Sequence, residues 1–217
     1  MAVANDVNAI LWGEYLCGAA RGARDALCVA VGTGIGGAII ANGRLLEGHT
    51  HTAGEIGHIK VGWDADAARC ACGRLGCLEA YVGGKYLLAR IRRELANRPD
   101  ALPCVLAGGV DQVQASHVDE AAGRGDAWAL ALWQELATLL ALAIGNGLIL
   151  LNPAVLVLAG GVLPRTPNLL AFVETALPLA ASLEATDGLR VELGQLGDDA
   201  GLIGAAALAT AASTAGA

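Results

Sequence analysis

Three cysteines crowded into one glycine-rich stretch, Cys70-Ala-Cys72-Gly-Arg-Leu-Gly-Cys77, constrain this chain more than any other feature. They close a segment, residues 49–79, with few periodic apolar positions. So long a stretch without helix or strand pattern needs a cross-link to order it. Glycines at 73 and 76 let the backbone curl around one point, and His58 lies upstream as a fourth donor. Three sulfurs and one imidazole complete a closed tetrahedral shell for a structural zinc ion (Zn2+), with no position open to water. The alternative is three ordinary buried thiols. His49 and His51 sit among Gly and Thr with no cysteine beside them and read as loop residues.

The redox compartment decides between metal and disulfide. The first thirty residues carry Asp6 and Glu14 among apolar positions and lack the basic start, continuous apolar run and cleavage site of a signal peptide. A cytoplasmic chain with reduced thiols is therefore expected, which favours metal. With 55% hydrophobic and 16% charged residues, disordered and fibrous classes are excluded, and 217 residues allow one large domain or one plus part of a second. Fourteen basic against 21 acidic residues leave a net charge of −7, so no positive field exists for a nucleic-acid backbone or an anionic membrane. Residues 136–163 hold no charge and are long enough to span a bilayer. Gly145, Asn146, Gly147, Asn152 and Pro153 interrupt them, and a buried helix, a turn and a buried strand are expected instead of a membrane span.

Elsewhere the elements are readable. Asn5 and Asp6 precede a helical stretch from Val7 to about Ala20, broken by Arg21-Gly22. Cys28–Val31 and Ala38–Ile40 read as strands around a glycine turn at residues 32–37, and Asn42-Gly43 turns the chain into Arg44–Leu46, giving an antiparallel meander. A helix is expected from about Tyr86 to Leu95, irregular chain over 100–125, and a buried helix from an Asp126 cap to about Ile144. Val155–Leu158 reads as a buried strand entering Ala159-Gly160-Gly161, Pro167 as the first turn of a helix, and Leu189–Leu193 as a strand. Asp198-Asp199 reads as the cap of a last, alanine-rich helix.

Gly32-Thr33-Gly34-Ile35-Gly36-Gly37 satisfies the GxGxxG spacing, with Glu55 at about the distance of a ribose-binding acid. A dinucleotide site needs a helix directly after the glycines, whereas Ala38-Ile39-Ile40 is a strand pattern. Strand, glycine turn, strand still cradles phosphate well, because successive backbone N–H groups face the concavity with no Cβ in the way; it is equally a plain hairpin. Asn5-Asp6 is open to two readings, a helix cap or a carboxylate base beside an amide that holds a substrate hydroxyl. Glu55, His58 and Glu79, at the edges of the cysteine loop, suit hydrogen bonds to several hydroxyls of a sugar, although each glutamate alone reads as solvated surface. Gly160-Gly161 lets a flat ligand approach the backbone.

In this order, Asn-Asp at a helix start, GTGIGG, Glu-x-Gly-His, CxCGxxGCxE, a strand into Ala-Gly-Gly-Val, and Asp-Asp-Ala-Gly-Leu-Ile-Gly-Ala near the end resemble the ROK family of sugar kinases and sugar-responsive repressors. The resemblance implies an α/β fold of the two-lobed, ribonuclease H-like type shared with actin and hexokinase. It implies an ATP-dependent, glucokinase-like hexose kinase, with Mg2+ accompanying ATP. Asp6 then matches the base, Asn5, Glu55, His58 and Glu79 the sugar-binding residues, and Gly32, Thr33 and Gly34 the second phosphate loop. Gly160 and Gly161 match the adenosine contact, and His58 serves both zinc and sugar. Family kinases place a first phosphate loop before Asn-Asp, which here stands at positions 5 and 6. Hence the expectation of an incomplete small lobe: residues 1–24 a remnant of it, 25–200 the large lobe, and 201–217 a helix packing back toward it. The family's repressors carry an N-terminal helix-turn-helix, for which no room is expected here. A homodimer or larger homo-oligomer is also implied. The alternative function is a non-catalytic, zinc-containing sugar-binding or regulatory protein.

Overall fold

The computed structural model describes residues 5–215, with side chains through Thr210; residues 1–4 and 216–217, the outer ends of the expected small-lobe and C-terminal segments, lie outside the described residues. A five-stranded sheet in the order β3-β2-β1-β4-β5 organises the chain. Its strands are β1 (Ala26–Val31), β2 (Ile35–Ala41), β3 (Arg44–Leu45), β4 (Val155–Ala159) and β5 (Arg190–Leu193). The first three form the expected antiparallel meander, with Val31 opposite Ile35 across the glycine turn; β4 runs parallel to β1, and β5 parallel to β4.

Strands β1 and β4 are apolar at every position because both faces of the sheet are covered. Leu27, Val29, Val31, Leu156 and Leu158 enter one core with α3 (Gly84–Leu95), α6 (Ala127–Leu151) and α7 (Pro167–Ala180). Ala26, Cys28, Ala30, Val155 and Val157 face the other way, against Val7 and Leu11 of α1 (Asp6–Cys17). Helix α9 (Ala200–Ala215) lies against α1, in close approach at Gly13 and Gly204.

Helix α6 departs from expectation. It starts at the Asp126 cap, whose side chain accepts from the Ala129 N–H at 2.9 Å, and continues through Gly145-Asn146-Gly147 as far as Leu151. These glycines do not break the helix; they are packing positions. A Cβ at residue 145 would strike the Ala180 carbonyl at the end of α7. The turn comes only at Asn152, in the left-handed region at φ 43°, before Pro153. By length and composition alone α6 is long and apolar enough to cross a membrane, but Leu132, Trp133, Leu136, Leu140, Ile144 and Leu148 are buried in the protein's own core.

Residues 100–125 are a second correction. Instead of irregular chain they form α4 (Leu102–Ala107), a 3-10 turn at Val110–Gln112 and α5 (Ala115–Gly123). The inward residues of α5 are Val118, Ala121 and Ala122, whose small side chains give little periodic contrast in sequence. Smaller shifts occur at other ends: α1 stops at Cys17 and α3 begins at Gly84. Short helices α2 (Glu79–Val82) and α8 (Leu183–Thr186) complete the described residues.

Asp119 of α5 fastens this region to α6 and α7. Its buried carboxylate accepts from Trp133 Nε1 at 2.8 Å, from the Asn168 N–H at 3.1 Å, from Asn168 Nδ2 at 2.9 Å and from the Leu169 N–H at 3.2 Å. Asp119→Ala orphans these donors and should cost about 3 kcal/mol of stability, read as a lowered urea midpoint with an unchanged slope.

Candidate functional site

The cysteine loop returns on itself through isolated pairings of Lys60 with Cys77 and of Arg69 with Leu75. Two tyrosines hold its outer turn: the Tyr81 hydroxyl accepts from the Ala68 N–H at 3.0 Å, and the Tyr86 hydroxyl from the Ala71 N–H at 2.7 Å. The result gathers a ring nitrogen of His58 and the sulfurs of Cys70, Cys72 and Cys77 within 4.8 Å of one another. Cys72 and Cys77 Sγ are 3.7 Å apart, and Cys70 Sγ is 3.9 Å from His58 Nδ1. A zinc ion with about 2.3 Å bonds to sulfur in tetrahedral geometry separates its sulfurs by about 3.8 Å. The donor set and its spacing fit zinc. Burial pushes the Cys70 thiol up to about 11, while a hydrogen bond from the Arg74 backbone holds Cys72 below the ordinary thiol range. Lys60 Nζ donates to Cys77 Sγ at 2.9 Å and to the Leu75 carbonyl at 2.7 Å, setting a positive charge beside the thiols.

Glu79 connects this loop to the glycine turn. Its Oε2 accepts from the Ile35 N–H at 2.9 Å, and its Oε1 lies 3.9 Å from Cys70 Sγ. Gly34 has no room for a Cβ, which would overlap Glu79 Oε2. The turn is held from its other side by the start of α3, where the Gly84 N–H donates to Gly32 O and the Lys85 N–H to Thr33 O, both at 2.9 Å. A strand, β2, takes up the chain from Ile35, where a dinucleotide site would need a helix; the expected strand, turn, strand arrangement is there, as a phosphate cradle and a plain hairpin would both have it.

Two clefts lie along the C-terminal edge of β1 and β4. The first, of about 840 Å³, is lined by Asp6, Glu14, Gly160, Gly161, Arg165 and Asp198 together with small residues of α1 and α9. The second, of about 720 Å³, is lined by Gly32, Thr33, Lys85, Gln114, Gly161 and Arg165 among others. The clefts meet at Gly161 and Arg165. Gly160 has φ 84°, and a Cβ there would strike the Val31 carbonyl, so glycine is needed where β4 leaves the sheet.

Of the residues singled out in sequence, Asp6, Gly160 and Gly161 share the first cleft, and Gly32, Thr33 and Gly161 the second. Asn5, Gly34, Glu55, His58 and Glu79 line neither cleft. Asn5 performs the cap role, its Oδ1 accepting from the Val7 N–H at 2.8 Å; Asp6 Oδ1 accepts from the same N–H at 2.8 Å. Glu55 is exposed at the head of the 3-10 turn Ile56–His58.

Sequence reasoning passed over Glu14, Lys85 and Arg165. Glu14 is 1% exposed, and its carboxylate accepts from the Ala19 N–H at 2.7 Å and the Leu196 N–H at 2.9 Å, tying the end of α1 to the loop after β5. Burial and, after it, the Glu14 charge push the neighbouring Cys28 thiol up to about 12. The signal was present: Asp6, Ile10 and Glu14 recur at helical spacing on one face of α1, and all three line the first cleft. Lys85 and Arg165 carried no such pattern.

Residues 1–212 match the model of the ROK family. A glucokinase of Halalkalibacterium halodurans is 38% identical over 203 residues, covering 93% of this chain and 61% of its own length. Among solved structures, a ROK family glucokinase from Streptomyces griseus in complex with glucose and AMPPNP superposes with a TM-score of 0.81 at 34% identity, over 95% of this chain and 67% of that one. A ROK family transcriptional regulator superposes with a TM-score of 0.80 at 26% identity, over 94% and 50%. The chain thus spans between half and two thirds of the length of these relatives. Its mixed α/β sheet has the actin- and hexokinase-like form of ROK sugar kinases. From the family match, the similar glucokinases and the shared fold, it follows that the chain belongs to the ROK family.

Proposed function

We propose that this chain is an ATP-dependent, glucokinase-like sugar kinase, which moves the γ-phosphate of ATP onto a hexose hydroxyl. One observation carries the reading: a cleft bearing the carboxylate Asp6 opens, at Gly161 and Arg165, into a groove floored by the Gly32-Thr33 turn. That juxtaposition sets a base beside a phosphate cradle, which is what phosphoryl transfer asks of a protein, since its catalysis is mostly positioning and charge neutralisation. The glucose and AMPPNP held by the similar Streptomyces griseus glucokinase support the same pair of ligands.

In this reading Asp6 accepts the proton of the attacking hydroxyl, and Asn5, Glu55, His58 and Glu79 hold the sugar. Gly32, Thr33 and Gly34 cradle phosphate through backbone N–H groups, and Gly160 and Gly161 admit the adenosine. Magnesium, arriving with ATP, supplies charge neutralisation at the phosphates. Zinc held by His58, Cys70, Cys72 and Cys77 fixes the loop that carries three of the sugar ligands, and its bond to Nδ1 would leave the other ring nitrogen of His58 for the sugar. Residues 1–24 then belong to a smaller lobe and 25–200 to the larger.

The test is coupled ADP release with glucose, mannose, fructose and N-acetylated hexoses. Hexose-dependent release is expected, and none with any of them would sink the kinase reading. A second reading, a sugar-binding regulatory module without transfer, is favoured by the likeness to the ROK transcriptional regulator. Calorimetry separates the two, because hexose binding without ADP release belongs to the second.

A further inference from the structure

The two clefts differ in charge. The first carries Asp6, Glu14 and Asp198. The second carries no carboxylate; its ionisable lining is Lys85, from the start of α3, and Arg165, from the 3-10 turn after β4. Among the described residues neither cation forms an ion pair, although the protein holds 21 acidic against 14 basic residues. Among the described residues the ion-paired arginines are Arg90 with Glu94 and Glu135, Arg124 with Glu120 and Arg190 with Glu192, so what sets Lys85 and Arg165 apart is that both line one groove that holds no carboxylate. Two unpaired cations facing one groove of an acidic protein are an arrangement that an anion completes.

Their backbones fix where that anion lies. The Lys85 N–H is bonded to Thr33 O, so the lysine leaves α3 beside the glycine turn. The Arg165 N–H is bonded to Val162 O, and Val162 N–H to Val31 O, so the arginine stands on a turn pinned to the end of β1. Arg165 also lines the cleft of Asp6 and is the basic group at the junction.

We propose that Lys85 and Arg165 are the phosphate-binding side chains of this groove, Lys85 beside the glycine turn and Arg165 at the mouth toward Asp6. They hold the polyphosphate of the nucleotide by charge, where the turn's N–H groups hold it by hydrogen bonding. The inference rests on the nucleotide reading of the groove, and it assigns positioning roles to two residues outside the glycine motifs. Arg165 is suited to a bidentate grip on phosphate, and Lys85 to a mobile point charge.

The test is calorimetric titration of the 217-residue chain with Mg-ATP, adenosine and inorganic tripolyphosphate, for the parent and for Lys85→Gln, Arg165→Gln and Lys85→Arg. Both cations are exposed, so the variants should fold as the parent does. Each glutamine variant is expected to weaken Mg-ATP and tripolyphosphate about five- to tenfold while leaving adenosine unchanged, with the difference shrinking as salt is raised. Lys85→Arg should keep most of the affinity, a rescue that a merely structural role does not predict. ATP affinities of the glutamine variants within about twofold of the parent, or a parent that binds ATP no better than adenosine, would overturn the proposal while leaving the nucleotide reading intact. Tripolyphosphate binding that depends on both cations, without binding of ATP or adenosine, would keep the phosphate clamp and sink the nucleotide reading. A parent that binds neither ATP nor tripolyphosphate overturns both.

Discussion

Asp6→Asn is expected to lower hexose phosphorylation by about a thousandfold while leaving the hexose dissociation constant within about threefold of the parent's. Asparagine has the same shape and keeps an oxygen for the Val7 N–H, which Asp6 Oδ1 now accepts at 2.8 Å. The start of α1 is capped independently by Asn5. The substitution therefore removes the proposed proton acceptor and little else, and a residue that acts only on the barrier lowers kcat and kcat/KM together without raising KM. Steady-state kinetics alongside calorimetry read both quantities. A variant retaining a tenth or more of the parent's kcat would show that Asp6 is only a helix-start residue and that the base lies elsewhere.

Loss of the metal should have the next largest effect, and on binding instead of rate. Elemental analysis is expected to find about one zinc per chain, and either chelation or Cys72→Ser should remove it. Cys72 is the exposed sulfur of the four-donor set, so its loss opens the shell without a cavity in the core. Hexose affinity should then fall by more than about tenfold. Glu55, His58 and Glu79 flank a loop otherwise held mainly by hydrogen bonds, among them its isolated backbone pairings, two tyrosine hydroxyls and the Lys60 bond to the Leu75 carbonyl. The sheet and α6 are held by their own backbone hydrogen bonds and core, and the four metal donors belong to neither of them, so far-ultraviolet circular dichroism should change little. Undiminished hexose affinity in the zinc-free protein would mean that the loop orders itself, and that the metal and the sugar are not linked.

What was legible in sequence follows from how local the physics was. The cysteine cluster was readable because its ligands are set by spacing within a few residues and one upstream histidine, and the structure gathers those four side chains. The meander around Gly32 to Gly37 was readable because turn glycines and β-branched runs act locally. Gly145 and Gly147 misled for the opposite reason. Gly145 takes its meaning from the carbonyl of Ala180, thirty-five positions away, and Gly147 from the Leu27 side chain, which no local pattern reports. Helix α5 was hidden because alanine at its inward positions blurs the apolar periodicity, although Asp119 on it anchors two other helices. The candidate site divided in the same way. Glycine motifs marked the floor of the clefts, while Lys85 and Arg165 gain meaning only when β1, β4 and the start of α3 are brought together. Glu14 was within reach, at two turns of helix from Asp6; the two cations were not.

The most direct measurement is phosphorus NMR of the chain with Mg-ATP and glucose, extended to the other hexoses, because it observes the bond that forms. A sugar kinase with Asp6 as base predicts a hexose monophosphate resonance growing in step with ADP, with neither appearing under Asp6→Asn. ATP left intact beside every hexose, or ADP accompanied only by inorganic phosphate, would contradict it.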